Sequence, residues 1–150
     1  MITREQLIGA WFLESYTETD VQSGEVSYPM GTNPAGLILY TSDGYMSAQL
    51  SSGGRDRFKS DDLYGGSGEE YTAAGRSYIA YSGPFYFDEG RGRLEHEMFV
   101  SFFPNWRGQR QVRVVAIDGG RLHLGPEHPM PFNGRLKTAS LIWKRAAPNL

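Results

Sequence analysis

Arg113 interrupts an otherwise apolar run made of Val112, Val114, Val115, Ala116 and Ile117. A guanidinium held among apolar side chains is a fixed fork of donors, suited to a carboxylate, an enolate or a carbonyl oxygen. His96, beside Glu97, titrates near neutrality and could serve as general acid or base in a proton transfer. The phenols of Tyr81, Tyr40, Tyr78 and Tyr45 are donors that can polarise a carbonyl as charge develops on it. Arg113, His96 and Tyr81 are therefore the candidate catalytic groups. Together with Tyr40, Met98, Phe102 and Trp106 they are also the candidate ligand-binding residues. Trp106 falls in the loop from Pro104 to Arg110, placed either to cover the mouth of a cavity or to staple the loop.

Each of these residues has a plainer reading. Arg113 could pair with Glu95 or Glu97, His96 could be a core histidine bonded to a backbone carbonyl, and the tyrosines could simply pack with their hydroxyls at a rim. Strand register decides. If Phe103 faces Gln111, Arg113 shares a face with Ser101 and Glu97. His96, Met98, Val100, Phe102, Val112 and Val114 then make the other, more apolar face. A slip of one residue inverts the assignment, so both remain open at this point.

Other chemistries lack their residues. The chain has no cysteine, which excludes disulfides, thiolate catalysis and cysteine zinc sites. No Gly-x-Ser-x-Gly elbow occurs, and Gly65-Gly66-Ser67-Gly68 lacks both a preceding strand and the lysine of a phosphate loop. His123 and His128 stand five apart across Gly125-Pro126, which is not helical metal-ligand spacing. Neither metal nor cofactor is expected. Net charge is −2, and the nearest basic cluster, Arg107, Arg110 and Arg113, is too thin for a nucleic-acid footprint. No run of about 18 apolar residues could cross a membrane as a helix. The N-terminal residues carry no apolar stretch of the signal-peptide kind, so a cytoplasmic location is the expectation.

What must position these side chains is a strand-rich domain of 150 residues, a single one spanning 1–150. A hydrophobic fraction of 39% is low for a dense solid core, whereas 13% aromatic suits a lining half apolar and half hydrogen-bonding. Thr3 to Leu7 reads as a capped helical turn, with Gln6 three residues after Thr3. A strand follows from Gly9 to Thr19, with Trp11, Leu13 and Ser15 on one face and Phe12, Glu14 and Tyr16 on the other. Val26 to Gly31 reads as an edge strand because Pro29 cannot donate to a ladder. Leu37–Tyr40 and Tyr45–Leu50 flank Thr41-Ser42-Asp43-Gly44 as a hairpin. Ser51 to Ser67, with four glycines and six charged residues, has no period and reads as a mobile loop or a lid. A helix is expected over Glu69–Tyr78. Strands resume at Tyr78–Phe87, Arg93–Phe103, Gln111–Ile117, Arg121–Gly125 and Leu136–Arg145. About eight or nine antiparallel strands and one short helix make the inventory of a small all-β barrel, whose interior is a natural place for a small molecule.

Several strings make the architecture more specific. They are Gly9-x-Trp11-x-Leu13-x-Ser15-Tyr16, Pro34-x-Gly36-x-Ile38-x-Tyr40, Asp43-Gly44-Tyr45-Met46-Ser47, Ala80-Tyr81-Ser82-Gly83-Pro84, Phe103-Pro104-Asn105-Trp106 and Gln111-Val112-Arg113. In that order the chain resembles the lipocalin-like domain family, small calycin-type barrels of bacteria and fungi, over residues 7 to 145. The resemblance implies a β-barrel in which an arginine near the chain's end, from Lys144-Arg145, covers the face of Trp11. It also implies a neighbourhood in secondary metabolism, without an activity.

Two functions follow as expectations. One is a binding module that holds a hydrophobic or amphipathic small molecule, oriented by a single polar anchor such as Arg113. The alternative is a cofactor-independent isomerase or cyclase that folds a polyketide-like substrate inside the barrel, with Arg113, His96 or Tyr81 stabilising developing charge. A homodimer is compatible with either.

Overall fold

Strands that bury one face and solvate the other can satisfy every edge by curling into a closed sheet. The computed structural model, which describes residues 1–150, shows that outcome. In chain order the elements are α1 (Arg4–Leu7), β1 (Gly9–Asp20), β2 (Val26–Ser27), β3 (Ala35–Tyr40), β4 (Tyr45–Ser51), α2 (Gly68–Arg76), β5 (Tyr78–Asp88), β6 (Arg93–Glu97), β7 (Val100–Ser101), a 3-10 turn (Pro104–Trp106), β8 (Arg110–Asp118), β9 (Arg121–Pro126), β10 (Met130–Phe132) and β11 (Arg135–Arg145). Eight of them, β1, β3, β4, β5, β6, β8, β9 and β11, form an antiparallel barrel that closes where β11 pairs with β1. Short β2, β7 and β10 are additional pairings on β1, β5 and β11.

One end of the barrel is sealed by the chain's own beginning. Thr3 caps α1 in a reciprocal capping box with Gln6, and Leu7 at the helix end is fully buried. Trp11 is also fully buried, and its indole N–H donates to the Leu7 carbonyl at 3.0 Å. The Arg145 guanidinium lies 3.9 Å above the Trp11 ring and donates to the carbonyls of Ile8 (2.7 Å) and Gln6. Gly9, at φ +123°, must be glycine here, because a Cβ would stand 2.9 Å from that guanidinium. The glycine and tryptophan two apart thus have one physical cause.

Two irregularities change which side chains face inward. Along β1, Leu13 faces Trp143 but Ser15 faces Ile142, so Glu14 is an extra residue bulged outward, where it takes a forked pair from Arg121 at 2.8 Å and 3.1 Å. Tyr16, expected on one face with Phe12, therefore turns in and is buried while Phe12 is exposed, with Glu18 and Asp20 following Tyr16. The expected strand Arg93–Phe103 is also two pieces. Met98 leaves the ladder to bond with Gln109 and Gly108, while Phe99 bonds back to Ser82. Gly83 leaves room for this crossing, since a Cβ there would collide with the Glu97 carbonyl.

The break settles the register between β6 and β8. Leu94 faces Arg113 and His96 faces Gln111, so the residue opposite Gln111 lies seven positions before Phe103 and the parity is the inverted one. Arg113 therefore shares a face with His96 and Gln111 and points inward, while Val114 is exposed. The carboxylates considered as its partners lie elsewhere. Glu95 pairs with Arg110 at 2.9 Å and Arg93 at 3.4 Å, and Glu97 stands opposite Arg110, taking a bond from the Tyr86 hydroxyl at 3.4 Å.

Candidate functional site: a chamber and its vestibule

Inward-facing residues of the strands leave a chamber of about 60 Å³ within the barrel. Its wall is mostly apolar, with Leu50, Leu124, Leu141 and Trp143 deep and Met130 and Phe132 toward the mouth. Four polar side chains break that surface: Arg113 and Gln111 from β8, Tyr81 from β5 and Tyr16 from β1. The strand period places Gln111 and Arg113 on one side of β8, and Arg113 Nη2 donates to Gln111 Oε1 at 2.8 Å. The guanidinium stands 5.9 Å from the centre of the Tyr81 ring. No carboxylate pairs with it. A partly buried cation in an apolar wall thus has one neutral acceptor and one aromatic face for company.

His96 lies behind this wall. It is fully buried, its Nε2 is 2.8 Å from the Tyr40 hydroxyl, and its Nδ1 has no partner. Its ring centre is 5.9 Å from that of Tyr81. Burial first, and the nearby Arg113 charge second, hold the imidazole well below its usual range, so it stays neutral. Burial also pushes the Tyr40 phenol up, with Tyr81 reinforcing and Arg113 opposing. Neither side chain reaches the chamber surface. Of the remaining expected residues, Tyr81 and Trp106 lie on the chamber wall. Met98 is fully buried outside the lining, Phe102 is half exposed, and Tyr45 is exposed.

Beside the chamber lies a groove of about 650 Å³, bounded in part by Tyr28, Phe102 and Phe103. Tyr16, Ile79, Trp106, Met130 and Phe132 belong to both walls and form the partition between them. Trp106, carried on the 3-10 turn, packs edge-on against Tyr81 on one side and Phe103 on the other. At this mouth the Tyr16 hydroxyl donates to Glu18 Oε2 at 2.6 Å, and Lys137 Nζ approaches Glu18 Oε1 at 3.7 Å. Burial, followed by the bond to Glu18, pushes the Tyr16 phenol up out of its usual range. Tyr16, Glu18, Lys137 and Phe132 were not anticipated from the sequence. The first two are hidden by the bulge at Glu14, for which no glycine or proline gives a local sign.

The segment from 52 to 67 contributes to neither wall. It packs on α2, where the Lys59 backbone donates to Glu70 and the Tyr71 hydroxyl donates to the Leu63 carbonyl. The space between them, about 540 Å³, is lined largely by charged and hydroxyl side chains including Arg55, Arg57 and Glu69. No group of three His, Asp or Glu side chains stands close enough to hold a metal ion. No helix is long and apolar enough to cross a membrane.

The sequence matches the model of the lipocalin-like domain across residues 8–146, nearly the full length of the barrel. The chain belongs to the lipocalin-like domain family. The Trp11–Arg145 clasp closes the barrel as the resemblance implied. Among curated proteins it is similar to a 4'-hydroxy-3'-methoxypropiophenone carrier protein of Aspergillus oryzae. The two are 35% identical over 106 residues, which cover 67% of this chain and 96% of that protein.

Proposed function

We propose that this lipocalin-like protein binds an apolar or amphipathic small molecule in the chamber and vestibule and carries it unchanged. The observation that carries the reading is the chamber itself: an apolar enclosure inside the barrel with one cation, Arg113, on its wall and a larger groove beyond its partition. Apolar contact supplies most of the affinity in such sites, and a few placed polar groups set orientation. Sites for drug-sized molecules run to about 300–1,000 Å³, so a ligand of that size would rest in the vestibule with one end in the chamber. A ligand that spans both spaces then displaces the Trp106 side chain, which stands on the partition between them. The relative in Aspergillus oryzae, a carrier for an aryl ketone, supports a ligand of this shape and a place in secondary metabolism.

The isomerase or cyclase alternative draws on Arg113 and His96 sharing the inner face. Proton transfer, however, needs a base within hydrogen-bond reach of the substrate. The imidazole is fully buried behind the lining, with Nε2 held by Tyr40. This arrangement favours carriage over turnover.

The test is native mass spectrometry with 4'-hydroxy-3'-methoxypropiophenone, followed by denaturation and recovery of the compound. Trp106 and Trp143 line the chamber, so their fluorescence reports occupancy in parallel. One equivalent bound and recovered unchanged is the expected result. Recovery of a product would establish an enzyme instead, and no saturable binding would refute the proposed site.

A further inference from the structure

We infer that the chamber selects ligands carrying an acidic oxygen and holds that oxygen as the anion against Arg113. The inference rests on the small-molecule reading above and names the chemical class that the site takes. Its basis is an imbalance of charge. Besides Arg113, the titratable side chains on the chamber wall are Tyr16 from β1 and Tyr81 from β5, both phenols. β4, β9, β10 and β11 contribute apolar or backbone surface, apart from the indole N–H of Trp143 on β11, a buried neutral donor with no partner. Behind the wall, His96 from β6 is neutral and Tyr40 from β3 is a buried phenol. The two charged groups at the mouth, Glu18 and Lys137, are paired with each other. Among the side chains that line the chamber, then, the guanidinium is the only formal charge, and its hydrogen-bond partner is the neutral Gln111.

A cation withdrawn from water without a counter-ion is unfavourable, and a charged acceptor forms shorter and stronger bonds with a guanidinium than a neutral carbonyl does. Gln111 occupies one Nη2 donor, which leaves other N–H groups of the fork for a ligand. A carboxylic acid fits this site, and so does a phenol acidified by a para acyl group, whose anion spreads its charge onto the ketone. A neutral ether or ester of the same shape would fill the apolar volume equally well and lose the charged contact.

Para-hydroxypropiophenone and para-methoxypropiophenone distinguish these cases, because they share one skeleton and only the first can ionise. Calorimetric titration of the wild-type protein with each, across the pH range in which the free phenol ionises, should show the phenol gaining about tenfold in affinity as it becomes the anion. The ether should bind with no such rise. A titrating protein group would move both curves, whereas ligand ionisation moves one. Arg113→Met should abolish the gain, and Arg113→Lys should keep part of it. Thermal melting of both variants reports whether they fold. If the wild-type protein binds both compounds alike at every pH, the inference is overturned and the cavity reading stands. Should the phenol's advantage persist in Arg113→Met, Arg113 is not the anchor. Failure of both compounds to bind refutes the small-molecule reading on which the inference rests.

Discussion

Arg145 and Arg113 each approach the ring of a buried aromatic residue, at opposite ends of this barrel, and they are satisfied to very different degrees. Arg145 lies 3.9 Å from the Trp11 ring and donates to two backbone carbonyls of the N-terminal segment. Arg113 stands 5.9 Å from the Tyr81 ring and has one side-chain amide as acceptor. The first closes a wall permanently, because every partner belongs to the chain. The second leaves donors directed at a space. Similar chemistry therefore does structural work at the sealed end and is left incomplete at the open one, which is where a ligand can complete it. Incomplete polar groups on apolar walls mark sites for this reason.

Breaking the sealed end should have the largest effect. Trp11→Ala removes a fully buried indole and is expected to lower stability by about 3–5 kcal/mol, read from urea unfolding. Arg145→Met loses the cation over that ring and two hydrogen bonds, an expected loss of about 2–4 kcal/mol by the same measurement. The matching change at the open end, Arg113→Met, should leave stability within about 1 kcal/mol of wild type, because it removes no carboxylate partner and one neutral bond. If instead it unfolds the protein, the contrast between the two arginines collapses.

A change at the partition sharpens the comparison from the other side. Trp106→Ala should cost about 1 kcal/mol or less, since the side chain is only partly buried, and should speed ligand association in stopped-flow fluorescence by joining chamber to vestibule. A slower or unchanged rate would mean that access lies elsewhere.

The smallest effect concerns His96. Its folded-state pKa is depressed, chiefly by burial, so below the ordinary imidazole value of 6.5 the unfolded chain takes up a proton that the folded one refuses. Stability should therefore fall as pH drops below about 6.5, and His96→Asn should flatten that slope in unfolding experiments at a series of pH values. A slope unchanged by the substitution would show that the imidazole is not held neutral.

The sealed end was legible in the sequence because its parts are local: Gly9 and Trp11 two apart, a capped turn just before them, an arginine near the chain's end. The helix from 68 to 76, expected over Glu69–Tyr78, and the hairpin around Asp43-Gly44 were legible for the same reason, through the acids Glu69 and Glu70 in a first helical turn and a turn glycine at φ +100°. The open end was not. Its geometry depends on strand parity, and parity is reset twice, by the outward bulge at Glu14 and by the break at Met98–Phe99. Neither residue type announces a bulge. The glycine that permits the second, Gly83, lies on the neighbouring strand. Arg113 was singled out by its chemistry, but its direction could be known only once His96 was seen opposite Gln111.

The most direct test of the account is a crystal structure of the protein with para-hydroxypropiophenone bound. The expected density places the aryl ring between chamber and vestibule, an oxygen within hydrogen-bonding distance of the Arg113 guanidinium, and Trp106 swung away from Tyr81. Density on the outer wall, or in the polar groove between residues 52–67 and α2 with the chamber unchanged, would contradict it.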